Sequence, residues 1–204
     1  LIPRCIVSTM FAGLSIAGIR SSQAGAEESA LRELPIAKPD TARLGPGEIH
    51  TWGAAARKGR LERIVSDSRE APLIAELTDP LGQPRLIRSS GADSLEVAWV
   101  ADRNGQWKLS IAGEDSTLGC HYEIRRDPSR PATRKETLES ELAFLDCAIS
   151  EDLMAGDESG ALEKALSALD LTREVDPNPL ELARSSQLLA NLFMAWLTHN
   201  AFYQ

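Results

Sequence analysis

Cysteine and histidine are both scarce in this chain of 204 residues, with three of each. No Cys-x-x-Cys spacing occurs, which excludes the usual structural zinc and redox patterns. Only Cys120 and Cys147 would remain after the export predicted below, too few for a disulfide framework. An oxidising compartment would permit a bridge between them. We assign them to different structural units, however, and therefore expect two unpaired, partly buried thiols.

Positive charge is sparse too, and it is not clustered. The chain has 22 Lys and Arg against 30 Asp and Glu, a net charge of −8. Residues 136–204 hold 13 acidic and 3 basic side chains, and the rest is nearly neutral. Nucleic-acid binding needs clustered Lys and Arg, so we expect no nucleic-acid partner. The acidic stretch does not identify a binding partner, because a run of like-charged residues is usually a solvent-exposed surface.

The apolar run near the N-terminus is too short to span a bilayer. Ile6–Ile19 holds about 14 apolar or small residues, whereas a spanning helix needs roughly 20. Arg4 precedes this run, and Ala24-Gly25-Ala26 offers small residues to a signal peptidase. The pattern predicts a signal peptide over residues 1–26 and an exported protein, periplasmic or extracellular, that meets the membrane only during export. The first residue is Leu1, so we expect a fragment.

Residues 27–44 are predicted to form a linker, and residues 45–127 a β-sandwich. The linker holds Pro35 and Pro39 and has no sustained period. The sandwich is predicted to be jelly-roll-like, because about seven short alternating segments are separated by turns. Asp79-Pro80-Leu81-Gly82 predicts a turn, and Asn104-Gly105 predicts a hairpin. The predicted strands are Ile49–Trp52, Leu61–Val65, Leu73–Leu77, Arg85–Ile87, Leu95–Val100, Trp107–Ile111 and Tyr122–Arg125.

A hinge is predicted over residues 128–135, followed by helices over residues 136–204. Thr133 or Thr137 can cap the first helix, which ends at Gly156. The third helix, Leu180 to about Thr198, is so apolar that we expect it to pack on two sides. The predicted fold is therefore multi-domain, β then α, with an α-helical hairpin repeat segment. The apolar stripes are Leu138, Leu142, Leu145, Ile149 and Leu153 on the first helix, and Leu162, Ala165, Leu166 and Leu169 on the second.

The third helix resembles the first half of a tetratricopeptide repeat. The likeness begins with two apolar residues three positions apart, followed four positions later by an aromatic residue. A turn residue that tolerates left-handed torsions and a further aromatic residue come next. The second helix, with small residues at Ala161, Ala165 and Ala168, resembles the second half of a preceding repeat. The positions that carry the likeness on the third helix are Leu189, Leu192, Trp196, Asn200 and Phe202, and Phe193 departs from the pattern.

The whole layout resembles the N-terminal region of secreted bacterial proteins of the tetratricopeptide/CHAT class. The resemblance implies a sandwich similar to the bacterial pre-peptidase C-terminal domain, placed before the repeats. A caspase-like peptidase domain commonly follows in that family, but nothing here matches its His and Cys pair. The residues that carry the likeness are Leu44, Pro46, Gly47, Glu48, His50, Leu77, Asp79, Pro80, Gly82, Gly105, Trp107, Leu109, Tyr122-Glu123-Ile124-Arg125 and Arg130-Pro131-Ala132-Thr133.

Few residues are candidates for catalysis or metal binding. Cys120 and His121 are adjacent, but neighbours on a strand point to opposite faces and cannot easily form a dyad. His50 has no spaced partner for a metal, and His199 suits a helix C-terminus. Four aspartates in turns could hold calcium if their loops converge, but they lack Asp-x-Asp-x-Asp spacing. These are Asp79, Asp93, Asp102 and Asp115.

Three tryptophans admit two interpretations. Trp52, Trp99 and Trp107 could line a glycan platform, but Trp99 and Trp107 lie on alternating strands and fit a core better. We therefore assign no catalytic, cofactor-binding or metal-binding residue. The sequence favours a non-catalytic exported module that binds protein or peptide through the helical repeat surface. The alternatives are the regulatory front end of a secreted caspase-like peptidase and a carbohydrate- or surface-binding β-sandwich.

Overall fold

The structure, a computed structural model, describes residues 31–34, 36–90, 94–115 and 117–175. The chain divides into two units between Thr137 and Leu138. Two β-sheets lie in the first unit and a helix pair in the second, which confirms the predicted order of β then α. The predicted signal peptide and the predicted third helix lie outside the described residues.

Ten strands make up the described part of the β unit. Each sheet contains five of them. The strands are β1 (Arg32–Glu33), β2 (Asp40–Leu44), β3 (Ile49–Ala56), β4 (Arg60–Ser68), β5 (Leu73–Thr78), β6 (Pro84–Ser89), β7 (Ser94–Val100), β8 (Gly105–Gly113), β9 (Cys120–Arg126) and β10 (Arg130–Pro131).

Sheet A has the order β1-β3-β8-β5-β6, and in sheet B β7, β4, β9 and β2 follow one another. The short strand β10 pairs with β4 beyond the end of β9. The chain changes sheet at most of its connections. Among the described strands, only β5 and β6 are both consecutive and paired, in an antiparallel hairpin. The predicted Asp79-Pro80-Leu81-Gly82 turn joins them, and Gly82 takes a φ of 82°.

The predicted Asn104-Gly105 hairpin is wrong. The strands on either side of it, β7 and β8, lie in different sheets. The Asn104 side chain accepts a hydrogen bond from the Lys58 amide at 2.8 Å, so it supports the β3–β4 turn. Gly105 has a φ of 145°, and its Cα faces Pro80, whose side-chain carbons would lie 2.6 and 2.8 Å from an added Cβ. The glycine allows this close approach between two turns.

The core lies between the two sheets. Alternation along β9 buries Cys120, Tyr122 and Ile124 and exposes the residues between them, as a half-buried strand should. The rings of Trp99 on sheet B and Trp107 on sheet A lie 5.8 Å apart at an interplanar angle of 41°. This tilted contact joins the inner faces of the sheets.

The segment predicted as a linker contains two strands. The strand β2 pairs with β9 from Asp40 opposite Ile124 to Leu44 opposite Cys120. Its side chains are exposed, or partly exposed at Ala42, until Leu44, which is 1% exposed. Because β2 lacks apolar alternation of its own, its position in the sheet is determined by pairing with β9. The predicted hinge likewise contains β10.

Two helices follow, α1 (Arg134–Ala155) and α2 (Glu158–Val175). Thr133 and Glu136 form a capping box at the start of α1. The Thr133 amide donates to Glu136 Oε2 at 2.9 Å, and the Glu136 amide donates to Thr133 Oγ1 at 3.3 Å. Gly156 ends α1 as predicted, with a φ of 76°, and Asp157 then caps α2 by accepting from the Gly160 amide at 2.9 Å.

The helix pair is held by small residues on α2. Ala161, Ala165 and Ala168 pack against Leu142 and Ile149 of α1. The prediction that Leu166 belongs to the inward stripe of α2 is wrong, because this side chain is 50% exposed. Alanine permits close approach of two helices; Leu169 is buried as well, whereas Leu162 is partly exposed and Leu166 is exposed. No helix within the described residues is long and apolar enough to cross a membrane.

Candidate functional site

A buried polar network lies between the sheets, built from a turn and two strands. The Gly45-Pro46-Gly47 turn leads into β3 and places Glu48 beside His50. The His50 ring lies 2.9 Å from Glu48 Oε1 through Nε2 and 2.8 Å from the Tyr122 hydroxyl through Nδ1. Trp52 donates its indole N–H to the same hydroxyl at 2.9 Å. The network therefore connects β3 of sheet A with β9 of sheet B.

One assignment of protons satisfies every member of the network. A neutral His50 donates from Nε2 to Glu48 and accepts at Nδ1 from the Tyr122 hydroxyl. That hydroxyl in turn accepts from Trp52. The order carboxylate, imidazole, hydroxyl is that of a catalytic triad. Here, however, His50 and Tyr122 are each only 2% exposed, and burial raises the pKa of Tyr122 well above its usual value. The hydroxyl serves to join the sheets.

The outer end of this network is the carboxylate of Glu48. Hydrogen bonding from the Gly45 amide at 2.7 Å lowers the pKa of Glu48 below its ordinary value, and His50 adds to the effect. Partial burial opposes the shift. The ionised carboxylate thus closes the turn and orients the imidazole.

Cys120 and His121 are separated as predicted. Cys120 is buried in the core, and this burial raises the pKa of its thiol, which keeps it protonated. His121 lies on the outer face, where its amide and ring contact the Glu70 carboxylate at 2.7 and 3.1 Å. Cys120 and Cys147 are both buried, more deeply than the partly buried thiols predicted, and no disulfide joins them in the described part of the chain.

Two of the four turn aspartates, Asp79 and Asp102, lie close together, and arginine side chains bridge them. Asp79 uses Oδ1 to accept from the amides of Leu81 and Gln83 at 2.8 and 2.9 Å. Arg103 lies 3.4 Å from Asp79 Oδ2 and also bonds Asp102, which pairs with Arg85 as well. These four charges balance, so the cluster supports the interpretation of turn chemistry over a cation site. The distances to Asp102 are 3.1 Å from Arg103 Nε and 2.5 Å from Arg85 Nη2.

The remaining candidates do not join that cluster. Asp115 accepts from the amide and hydroxyl of Thr117 at 2.9 and 2.6 Å, so it organises its own turn. Asp93 and His199 lie outside the described residues. Within the described part of the chain, no group of three or more His, Cys, Asp or Glu side chains could hold a metal ion.

A buried ion pair is a second polar feature that the sequence analysis did not predict. Glu62 is 1% exposed and Arg126 is 5% exposed. Arg126 Nη2 donates to Glu62 Oε2 at 2.7 Å and to the Ala55 carbonyl at 2.6 Å. Ser129 satisfies the second carboxylate oxygen at 2.6 Å. The pair ties β4 and β9 of sheet B to β3 of sheet A, and its members lie 64 positions apart in the chain.

The three tryptophans all belong to the core. Trp52 is 1% exposed, and Trp99 and Trp107 are fully buried. The preferred interpretation of Trp99 and Trp107 as core residues is therefore confirmed, and the alternative of a glycan platform is wrong for these side chains. Their spacing on alternating strands turns all three toward the facing sheet.

Comparisons with known proteins leave the family open. No protein-family model and no curated protein matches this chain. Among solved structures, the chain is similar to the pre-peptidase C-terminal domain of collagenase from Bacillus anthracis, with a TM-score of 0.42 and 11% identity. It is also similar to PliG of Aeromonas hydrophila, a periplasmic inhibitor of g-type lysozyme, with a TM-score of 0.39 and 9% identity. Each similarity covers 50% of this chain and 99% of the other protein. Neither assigns the chain to a family.

Proposed function

We propose that this chain is an exported, non-catalytic interaction module in which a jelly-roll-like sandwich precedes a helical, tetratricopeptide-like segment that binds a protein or peptide. The observation that carries the proposal is the inverted packing of α2. Its alanines face α1, while Leu166 is 50% exposed and Leu162, one turn earlier on the same side, is partly exposed.

Two leucines at i and i+4 form a short apolar edge on the helix surface. An isolated amphipathic helix buries its largest apolar side chains first, because each contributes about 1.5–3 kcal/mol. Leaving Leu162 and Leu166 outside, while Leu169 and three alanines are buried, suits a helix that adds a further layer or a bound peptide. Export is supported by the charged, apolar and small-residue pattern of residues 1–26.

The interaction is tested by site-specific photo-crosslinking in the producing cell. A photoreactive residue at Leu166 should give one dominant heteromeric adduct, identified by peptide mass spectrometry. The same residue at Glu163, exposed on the same helix, is the matched control. The substitution Leu162→Asp should abolish the Leu166 adduct while leaving the circular dichroism spectrum unchanged. Equal adducts from both positions, or none, would overturn the proposed binding edge.

Export is tested separately by the N-terminus of the mature protein. Intact-mass measurement of the secreted fraction should place it at Glu27. A full-length chain retained inside the cell would contradict the export.

A further inference from the structure

Three turns meet at one end of the β unit and form one surface. The Gly59 amide donates to the Ala101 carbonyl at 2.8 Å, which joins the β3–β4 turn to the β7–β8 turn. Arg103 lies 3.4 Å from Asp79, which joins the β7–β8 turn to the β5–β6 turn. These contacts fix the three turns against one another. The turns comprise residues 57–59, 79–83 and 101–104.

The fold gathers positive charge at this end. Arg57 and Lys58 are exposed, and neither has a carboxylate partner among the described residues. Two carboxylates, Asp79 and Asp102, face five cations in the three turns and the strand residues beside them, which leaves a net charge of +3. We call the five cations and Leu81 the basic end. The cations are Arg57, Lys58, Arg60, Arg85 and Arg103, and the adjacent pairs Glu62–Arg126 and Arg130–Glu136 are balanced.

An apolar side chain projects beside these charges. Leu81 is 70% exposed at the third position of the Asp79-Pro80-Leu81-Gly82 turn. Its amide donates to Asp79 Oδ1 at 2.8 Å, and the Gly82 amide donates to the Asp79 carbonyl at 2.9 Å. The turn therefore holds the leucine outward. One exposed leucine is ordinary by itself, but a leucine fixed beside a group of cations combines the two features that bind a membrane surface.

The opposite end of the β unit has the reverse charge. Its described turns carry four carboxylates and one arginine. An exposed leucine lies there too, since Leu118 is 52% exposed. The two ends therefore differ in charge rather than in the presence of an apolar side chain. The carboxylates are Glu48, Glu70, Glu114 and Asp115, and the arginine is Arg69.

We propose that the basic end docks on a membrane surface that contains anionic phospholipid. Lys and Arg side chains are attracted to the anionic headgroups, and the Leu81 side chain enters the boundary between headgroups and acyl chains. The turns are already fixed, so docking requires no ordering of loops. An acidic soluble partner would account for the cations but not for Leu81. The proposal departs from the sequence-based expectation of membrane contact only during export.

A polarity-sensitive dye on Leu81→Cys tests the docking in the full chain. Cys5→Ser removes a reactive thiol, and Cys120 and Cys147 are buried. Vesicles of equal parts phosphatidylcholine and phosphatidylglycerol should shift the dye emission to the blue, and vesicles of phosphatidylcholine alone should not. The matched control carries the dye on Leu118→Cys and should not respond to either. Equal shifts at both positions would show anchoring by another part of the chain and would overturn the proposal.

Charge variants of the chain labelled at position 81 test the role of the cations. Arg57→Gln combined with Lys58→Gln should raise the lipid concentration at half-maximal shift about fivefold for each cation removed. Arg43→Gln combined with Arg69→Gln removes the same charge from exposed positions at the opposite end and should change it less than about twofold. Tryptophan fluorescence checks that the core is retained. Equal effects of the two double variants would overturn the proposal.

The unlabelled full chain tests the native leucine. Leu81→Ser should reduce the preference for phosphatidylglycerol vesicles over phosphatidylcholine vesicles at least about threefold in co-sedimentation, whereas Leu118→Ser should not. No effect of Leu81→Ser, together with binding of soluble polyglutamate at the basic end, would assign this surface to an acidic partner and overturn membrane docking. Loss of the Leu166 photo-adduct, in contrast, would bear only on the proposed function.

Discussion

At the residue scale, single polar side chains connect the two sheets. The Tyr122 hydroxyl bridges His50 and Trp52, so Tyr122→Phe leaves two buried groups without their partner. We expect it to lower the free energy of unfolding by about 1–3 kcal/mol. Urea denaturation followed by tryptophan fluorescence measures this loss. The control is Thr41→Val on the exposed strand β2, which should change stability by less than about 0.5 kcal/mol. Equal losses would contradict the bridging role.

The Glu62–Arg126 pair gives a sharper residue-scale prediction. Arg126→Met leaves the Glu62 carboxylate buried and unpaired, which should cost about 3–5 kcal/mol. Adding Glu62→Gln removes that charge and should recover part of the loss in the same urea assay. Arg125→Met is the matched control, because Arg125 is the exposed neighbour on β9 and should cost about 0.5 kcal/mol or less. A double variant no more stable than Arg126→Met would contradict this explanation.

At the scale of single elements, the start of α1 is sensitive to acid. Hydrogen bonds from Arg130, and then from the Thr133 amide, lower the pKa of Glu136 from 4.5 to about 2. A carboxyl whose pKa falls on folding adds stability above its ordinary pKa and loses it as the pH drops toward the folded value. Glu136→Gln should therefore cost about 1 kcal/mol at pH 7, and this difference should shrink between pH 4.5 and 2.

Urea unfolding across this pH range, monitored by helical circular dichroism, checks the prediction. The control is Glu141→Gln, a change at an exposed glutamate on the same helix. A difference between wild type and Glu136→Gln that stays constant down to pH 2 would be inconsistent with the capping box.

The elements also show which features can be predicted from sequence. Thr133 and Gly156 are recognisable because caps and helix ends act within four residues. Trp99 and Trp107 are predictable as core because alternation along a strand is local. The strand β2 is not predictable, since its exposed side chains carry no period and its place is set by pairing with β9.

The candidate site shows the same contrast between features set by neighbouring residues and features set by distant strands. The opposite orientation of Cys120 and His121 follows from strand geometry alone. In contrast, Tyr122 and Arg126, which bond His50 and Glu62, lie on β9, distant in the chain, so no local pattern identifies them as partners. The failed Asn104-Gly105 hairpin has the same origin, because a local turn signal says nothing about which sheet receives the next strand.

At the scale of the whole molecule, the division near Thr137 predicts independent folding of the β unit. Both sheets and the tryptophan core lie before it. A chain of residues 27–137 should therefore show β-rich circular dichroism and a single cooperative urea transition with native-like tryptophan fluorescence. Gradual loss of signal together with strong binding of a hydrophobic dye would indicate a molten state instead and would contradict independence of the unit.

The repeated change of sheet along the chain also determines how this unit reaches its native state. With one hairpin among the described strands, nearly every pair of strands joins segments that are distant in the chain. The entropy cost of closing these long loops is incurred before the strand contacts can stabilise the fold. High contact order of this kind places refolding in the range of milliseconds to seconds. The newly made chain therefore spends a comparatively long time with its strand edges unpaired.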